Sequence, residues 1–189
     1  MKNQTSEGFE LQPTLENEHI LAKPLRVDDF ETLYRVASDP LIWEQHPNKN
    51  RYKKEVFQNF FTGAIESKGA FLVIDKKTGE PIGSSRYTSY DSGKKSISIG
   101  YTFLSRSCWG KAHNKALKTL MLNYAFHFVE TVYFQVGSKN FRSQKAMEKL
   151  GAEKIREEEI TYYGEAPNLN FIYQIEKKKW NQGAVSLNK

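Results

Sequence analysis

One continuous stretch of the chain, residues 97–118, constrains the fold more than any other. Apolar and polar residues alternate up to Phe103, an irregular loop follows that contains Gly110, and an amphipathic pattern begins near Lys111. Alternation with a period of two indicates a strand, whereas apolar residues three and four apart indicate a helix. A strand, a glycine-containing loop and a helix in succession aim backbone N–H groups and a helix N-terminus at one point, which is an arrangement that binds anions.

The hydrophobic pattern predicts eleven elements in the order β-α-α-β-β-β-α-β-α-β-β. Short turns at residues 76–80 and 91–93 separate the three central strands, which predicts an antiparallel meander. The long helix at residues 110–128 leads to a strand at residues 131–136, and this crossover predicts a strand parallel to the one that ends at Phe103. The sequence therefore predicts an α/β (α+β) fold, in which a mixed, mostly antiparallel sheet contains one parallel pair and is flanked by helices.

Length and composition favour one folded domain. The chain has 189 residues, which is typical of a single domain; we expect an N-terminal arm at 1–17, the domain at 18–177 and a flexible C-terminal tail at 178–189. Hydrophobic residues make up 39% and aromatic residues 13%, which is too aromatic for a disordered chain and too polar for a membrane protein. Neither a spanning apolar run nor a secretory signal is evident, so a cytoplasmic location is predicted.

The charge balance suits an anionic partner. Lys and Arg total 28 against 22 Asp and Glu, which gives a net charge of +6; a phosphorylated cofactor, nucleic acid or an acidic protein surface would fit. Nucleic acid is disfavoured, because no recognition helix or RNP pattern is present. Cys108 is the only cysteine, and the four histidines lack metal-ligand spacing, so we expect no disulfide and no metal.

Two segments resemble a known family. The loop Ser107-Cys-Trp-Gly-Lys-Ala112, which precedes the long helix, is similar to the acetyl-CoA signature Q/R-x-x-G-x-G/A of the GCN5-related N-acetyltransferases. The segment from Asn140 to Ala152 is similar to the N-x-x-S-x-x-x-x-x-K-L-G-F block of the branch that acetylates ribosomal-protein N-termini, the RimJ/RimL type. The helix stop at residues 38–40 and Ile99-Gly-Tyr101 also match. The resemblance covers residues 18–177 and implies a single acetyltransferase domain whose parallel strands splay apart.

The resemblance also implies where acetyl-CoA, the co-substrate, would bind. Its pyrophosphate would lie against the loop and the first helical turn, where unpaired N–H groups and the helix dipole hold anions. Its pantetheine arm would pair with strand backbone, and an N–H group near Tyr101 would polarise the thioester carbonyl. Asn140 would bond the pantetheine amides, and Ser143 would orient or protonate the leaving thiolate. The implied cofactor-binding residues are Tyr101, Thr102, Phe103, Trp109, Gly110, Lys111, Ala112, His113, Asn140 and Ser143.

Each of these positions also has a purely structural interpretation. The loop is compatible with an ordinary helix start that follows a glycine. Asn140 is compatible with a turn residue or a helix cap, and Ser143 with a serine in a first helical turn.

The proton chemistry is the part that the sequence leaves open. Many relatives carry a tyrosine that acts as the general acid where this chain has Met147, and the ribosomal-protein branch often carries an acidic residue where this chain has Ser98. The family's substrate groove is walled by the link between the first two helices, so Glu44 and His46 are candidate bases, beside Ser143 as the third candidate catalytic residue. Both are also compatible with ordinary loop side chains.

The resemblance implies an N-acetyltransferase that moves the acetyl group of acetyl-CoA to a primary amine by direct attack in a ternary complex. The acceptor would be a protein N-terminus or a small-molecule amine. A non-catalytic acetyl-CoA-binding module of the same fold is the alternative, because the usual acid and base are replaced. The expected partners are acetyl-CoA and the acceptor, with no membrane or nucleic acid, and the chain would be a monomer or a homodimer.

Overall fold

The computed structural model describes residues 8–186, and this part of the chain forms eight strands and five α-helices. All eleven predicted elements form in the predicted order, and β1 and α5 are additional. In chain order the elements are β1 (Leu15–Glu16), β2 (Ile20–Pro24), α1 (Phe30–Ala37), α2 (Lys54–Glu66), β3 (Ala70–Asp75), β4 (Pro81–Asp91), β5 (Ser96–Leu104), α3 (His113–Ala125), β6 (Thr131–Gly137), α4 (Phe141–Leu150), β7 (Glu153–Ile160), β8 (Asn168–Glu176) and α5 (Lys177–Ser186).

All eight strands belong to one sheet in the order β1-β2-β3-β4-β5-β6-β8-β7. Every neighbouring pair is antiparallel except β5 and β6, which are parallel and are joined through α3. A parallel connection needs a crossover, and the long helix supplies it. The predicted fold class, a mixed and mostly antiparallel sheet with one parallel pair, is therefore confirmed.

The parallel pair separates after three residues. The pairing of β5 with β6 runs from Ser96 opposite Thr131 to Ser98 opposite Tyr133 and stops there, although both strands continue. On its other edge β5 contains a bulge, at which Tyr101 has a φ of +51°. A bulge bends its strand and increases the local twist, so β5 turns away from β6. The splay that the family resemblance implied is confirmed.

The sheet lies between two hydrophobic cores. Successive side chains of a strand point to opposite faces. In β3, Phe71 and Val73 belong to the core that α3 covers, whereas Ala70 and Leu72 belong to the core that α1 and α2 cover. The gap between β5 and β6 therefore opens between two helical layers.

Both ends of the described chain contact the rest of the domain. In the expected arm, the ring of Phe9 stacks on Tyr90 at 4.9 Å between centroids, and β1 pairs with β2. In the expected flexible tail, α5 forms, and Trp180 Nε1 donates a hydrogen bond to Asn123 Oδ1 at 2.8 Å. One aromatic residue in each polar segment provides the anchor. Residues 1–7 and 187–189 lie outside the described residues, and the predicted arm, domain and tail stay predictions.

Candidate cofactor cleft and acceptor side

A cleft of about 650 Å³ opens where β5 and β6 separate. Its walls come from the upper part of β5, the loop before α3, the first two turns of α3, one side of α4 along its length and the segment that joins α1 to α2. The residues that line it include Trp43, Gln45, His46, Thr102, Phe103, Trp109, Gly110, Lys111, Ala112, Lys118, Asn140 and Ser143.

The loop before α3 is shaped by Gly110. Its φ of +72° lies in the left-handed region, and a Cβ at this position would meet no atom within 4 Å. Glycine is therefore favoured here for its backbone conformation and not for space. The indole of Trp109 fixes the loop to the strand, because its Nε1 donates to the carbonyl of Leu104 at 3.1 Å.

The N-terminus of α3 is open toward the cleft. The cap residue is Ala112, so no side chain caps the helix, and its first turn contains no acidic residue. The first N–H groups of a helix have no partner within the helix, and its dipole concentrates positive potential there. An anion in the cleft would find these groups unoccupied by the described side chains.

The side chains around the cleft carry charge of one sign. Six of the residues that line it are cationic and none is acidic, within the part of the chain that the structure describes. Such a surface raises the local concentration of anions and suits a ligand with several phosphates. The six are Lys111, Lys115, Lys118, Arg142, Lys145 and Lys149, and among them Lys118 is buried, which lowers its pKa to about 7.

Arg142 spans the cleft between α4 and the glycine loop. Its guanidinium carbon lies 3.7 Å from the centre of the Trp109 ring, which is close enough for a cation–π interaction. Its backbone N–H donates to Gln45 Oε1 at 3.0 Å. Three separate segments of the chain therefore meet at the mouth of the cleft.

Asn140 and Ser143 both line the cleft and also form a helix cap. The Oδ1 atom of Asn140 accepts a hydrogen bond from the N–H group of Ser143 at 3.2 Å. Asn140 therefore acts as the helix cap that its structural interpretation predicts. Its side-chain Nδ2 does not take part in this cap. The proposed roles of both side chains toward a cofactor stay predictions.

Two of the predicted cofactor-binding side chains turn away from the cleft. His113 Nε2 lies 3.1 Å from Asp75 Oδ2, so its ring ties α3 to the end of β3. The N–H group of Lys77 and this histidine hold the pKa of the Asp75 carboxyl below its usual value. The ring of Tyr101 points to the face of the sheet that α1 and α2 cover, opposite the face that α3 covers. Neither His113 nor Tyr101 is among the residues that line the cleft, and a role of their backbone groups toward a ligand stays a prediction.

On that opposite face, Tyr101 belongs to a buried aromatic and guanidinium cluster. The guanidinium of Arg86 lies 4.0 Å from the centre of the Tyr101 ring, and the Tyr162 ring lies 5.4 Å away. Burial raises the pKa of both tyrosines and lowers that of Arg86 to about 10. The cluster lies beneath the segment between α1 and α2, where the family resemblance predicts the acceptor. We name this region, which contains Arg51, Arg86, Tyr101, Tyr162 and Glu165, the acceptor side.

A buried ion pair holds the acceptor side together. Arg51 Nε and Nη2 both donate to Glu165 Oε1, at 2.8 and 2.6 Å. The Arg51 side chain is 2% exposed and its guanidinium packs over the rings of Phe60 and Trp43. The pair joins the segment after α1 to the loop between β7 and β8, and burial lowers the pKa of Arg51.

The two candidate bases differ in position. His46 lines the cleft, and its Nε2 accepts a hydrogen bond from Arg51 Nη1 at 3.2 Å, which is the tautomer whose Nδ1–H donates to the carbonyl oxygen of Asn48 at 3.3 Å. Burial, then the charge of Arg51, lowers the pKa of His46 well below its ordinary value. Proton uptake at Nε2 would require the contact with Arg51 to open. Glu44 is exposed and does not line the cleft. A base role for either residue stays a prediction.

Sequence reasoning missed Lys118. This lysine of α3 is 4% exposed, and its Nζ donates to Thr102 Oγ1 at 2.5 Å. Burial lowers its pKa to about 7. A signal was present, because Lys118, Met121, Leu122 and Ala125 share the i, i+3, i+4, i+7 spacing of a buried helix face. Within residues 8–186 no three His, Cys, Asp or Glu side chains form a group that would hold a metal, and a metal-free site stays a prediction.

The fold and the basic cleft between separating strands define the acetyltransferase class. Residues 19–153 match the family model described as acetyltransferase (GNAT) domain. The match spans more than half of the chain, and the chain belongs to this family. A comparison with curated proteins gave no match. No helix of the described residues is long and apolar enough to cross a membrane.

Solved structures with the same fold include relatives that contain coenzyme A compounds. A putative acetyltransferase from T. thermophilus is 24% identical, with a TM-score of 0.75 over 93% of this chain and 95% of that chain. RimJ of Mycobacterium smegmatis, in complex with CoA-disulfide, is 15% identical, with a TM-score of 0.65 over 85% and 83%. Spermidine N-acetyltransferase of Vibrio cholerae, in complex with CoA and spermine, is also 15% identical, with a TM-score of 0.66 over 87% and 99%. At these identities the likeness concerns the fold.

Proposed function

We propose that this protein transfers the acetyl group of acetyl-CoA to a primary amine by direct attack in a ternary complex. The observation that carries the proposal is the cleft between β5 and β6, which has six cationic residues, no acidic residue and an uncapped helix N-terminus. Acetyl-CoA carries a pyrophosphate and a 3′-phosphate, so its charge complements this lining. Family membership supports acetyl transfer as the reaction.

The phosphates would bind at the start of α3. The backbone of the loop around Gly110 and of Ala112 and His113 would supply N–H donors, and Lys111 would supply charge. The exposed lysines on α3 and α4 lie on either side of this point. The side chain of Trp109 would stay in place as the wall, since it is bonded to Leu104.

The pantetheine arm would occupy the gap between the strands. Beyond Ser98 the edge of β5 that faces β6 has no strand partner, and unpaired backbone groups away from water need partners. The amides of the arm would pair with the backbone of Tyr101, Thr102 and Phe103. An N–H group near Tyr101 would then polarise the thioester carbonyl, and Ser143 would face the leaving thiolate.

The amine must lose a proton before it attacks. The thiolate leaves with little help, because an ordinary thiol has a pKa of about 8.5. His46 is the proposed base nearest the cleft, acting directly or through water after its contact with Arg51 opens. Glu44 would act only through water, since its side chain lies outside the lining. An acceptor that arrives as the neutral amine would need neither residue.

Both acceptor classes, a protein N-terminus and a small-molecule amine, fit the proposal. Among the described residues, the buried charged groups of the acceptor side are the guanidinium groups of Arg51 and Arg86 and the carboxylate of Glu165. A net positive surrounding disfavours a ligand with several ammonium groups. We therefore expect monoamines or peptide N-termini to react faster than polyamines such as spermine. A cytoplasmic location and a monomeric or homodimeric state are further proposals.

A non-catalytic acetyl-CoA-binding module is the second candidate. Three positions favour it: Met147 and Ser98 stand where relatives have acidic groups, and the His46 ring is held against Arg51. Such a module would keep the cofactor cleft and lack turnover.

One assay separates the two candidates. Acetyl-CoA is titrated to establish saturable binding, and release of free thiol is then followed against a panel of monoamines, polyamines and N-terminal peptides. Thiol release that depends on the amine supports acetyl transfer. Saturable binding without turnover on any amine supports the module, and the absence of saturable binding contradicts both.

A further inference from the structure

A buried amine lies inside the cleft that we propose as the cofactor site. Lys118 projects from the second turn of α3 and lines the cleft, yet it is only 4% exposed. Its Nζ lies 2.5 Å from Thr102 Oγ1, at the height of the bulge where β5 leaves β6. Under the proposed function, the thioester carbonyl lies beside Tyr101, which is the preceding residue. The amine and the thioester would therefore lie beside adjacent residues of β5, close to each other in the cleft.

The surroundings of this amine do not hold it in the charged form. Thr102 Oγ1 has a second neighbour, Ser85 Oγ at 2.8 Å, and the ring of Phe134 lies 5.7 Å from Lys118 Nζ. None of these groups carries a negative charge, and in the described residues Lys118 forms no ion pair. Desolvation lowers its pKa to about 7, so a sizeable fraction of the amine is neutral at neutral pH. A desolvated lysine amine is an effective nucleophile.

We propose that Lys118 is a self-acetylation site: when acetyl-CoA occupies the cleft without an acceptor, Lys118 Nζ takes the acetyl group. The inference rests on the proposed function, because acetyl-CoA is the donor. The neutral amine attacks the thioester carbonyl carbon, a C–N bond forms, and the C–S bond breaks. The proton lost from nitrogen ends on the thiolate, so the products are N-acetyl-lysine and free CoA.

The site would react ahead of its neighbours only if the cofactor delivers the acetyl group. Lys111, Lys115, Lys145 and Lys149 line the same cleft but are exposed, and a lysine ammonium in water is strongly hydrated. Proximity to a bound thioester raises the rate by orders of magnitude. Lys118 should therefore be acetylated at least about tenfold faster than these four lysines.

The test is peptide mapping of the full-length protein after incubation with acetyl-CoA in the absence of any amine acceptor. Acetyl-CoA binding is measured by titration on the same preparation. Acetic anhydride, a donor that needs no binding site, serves as the comparison, and with it the exposed lysines should react first. Lys118→Met removes the nucleophile without placing a permanent charge in the buried site, and it should lose the rapidly added acetyl group.

Three outcomes are decisive. Preferential acetylation of Lys118 that excess CoA suppresses supports the inference. Saturable binding of acetyl-CoA with no faster modification of Lys118 than of Lys115 overturns the inference and leaves the proposed function intact. If acetyl-CoA does not bind saturably, the proposed function fails, and the inference fails with it.

Discussion

The guanidinium of Arg142 lies 3.7 Å from the centre of the Trp109 ring, so α4 and the loop before α3 touch across the mouth of the cleft. This contact joins the two segments that resemble the family motifs. It also places a planar, charged guanidinium beside the proposed phosphate site, and a guanidinium matches the geometry of phosphate oxygens.

Substitution of Arg142 by alanine should weaken acetyl-CoA binding about tenfold, because one charge-assisted contact is worth about 1.5 kcal/mol. Titration calorimetry at low and high salt measures the effect. Arg142→Lys is the matched control: it keeps the charge but not the planar stacking on Trp109, so it should lose less affinity at low salt. Equal affinity of wild type and Arg142→Ala would remove Arg142 from the site.

Gly110→Glu should abolish acetyl-CoA binding. The substitution introduces a negative charge at the proposed phosphate cradle and a side chain at a φ of +72°. Gly110→Ala separates the two effects, since alanine adds only the left-handed strain of about 1 kcal/mol and a Cβ that meets no atom within 4 Å. We expect measurable binding for alanine and none for glutamate. Retained binding in the glutamate variant would place the phosphates elsewhere.

The ion pair between Arg51 and Glu165 should dominate the stability of the acceptor side. The two side chains are 2% and 8% exposed, and removal of one partner leaves a buried charge uncompensated. Glu165→Gln should therefore lower the free energy of unfolding by about 3–5 kcal/mol, measured by urea denaturation.

The matched control is Glu31→Gln, which breaks the pair of Glu31 with Lys54 on the surface. Those side chains are 68% and 54% exposed, and exposed pairs contribute at most about 1 kcal/mol. A Glu165→Gln variant as stable as Glu31→Gln would show that the buried pair does not hold the two loops together.

The element order and the position of the glycine loop before α3 were predictable because they depend on local patterns. Gly110 sits between a period-two run and a helical run, and those periods specify strand and helix. The splay of β5 from β6 came from the family resemblance alone, since no local pattern marks Tyr101 for a positive φ.

The acceptor side was not predictable for a different reason. Arg51 and Glu165 are 114 residues apart, and each looks like an ordinary surface charge in its own segment. Lys118 was missed because lysine is rarely buried, although its spacing from Met121 and Leu122 places it on the buried face. Phe9 and Trp180 likewise anchor segments whose polar composition suggests mobility.

Replacement of Lys118 by methionine should stabilise the protein at neutral pH. The pKa of this lysine is about 7 in the folded state and 10.5 when exposed. Between these values the unfolded chain binds a proton that the folded chain lacks, so wild-type stability rises with pH across this window. The unfavourable contribution is complete at and below pH 7, where it is at most about 5 kcal/mol.

The Lys118→Met variant lacks this contribution, so its advantage over wild type should be largest near pH 7 and shrink toward pH 10. Thr102 keeps Ser85 as a partner in the variant. Lys115→Met, an exposed position of the same helix, should show no such trend. A Lys118→Met variant less stable than wild type at pH 7 would contradict the burial argument.

The central claim is that acetyl-CoA binds in the cleft between β5 and β6, and calorimetric titration of wild type and Gly110→Glu with acetyl-CoA tests it most directly. We predict saturable binding of one acetyl-CoA per wild-type chain and no detectable binding to the variant. Absence of saturable binding to wild type, or equal affinity for both proteins, would contradict the claim.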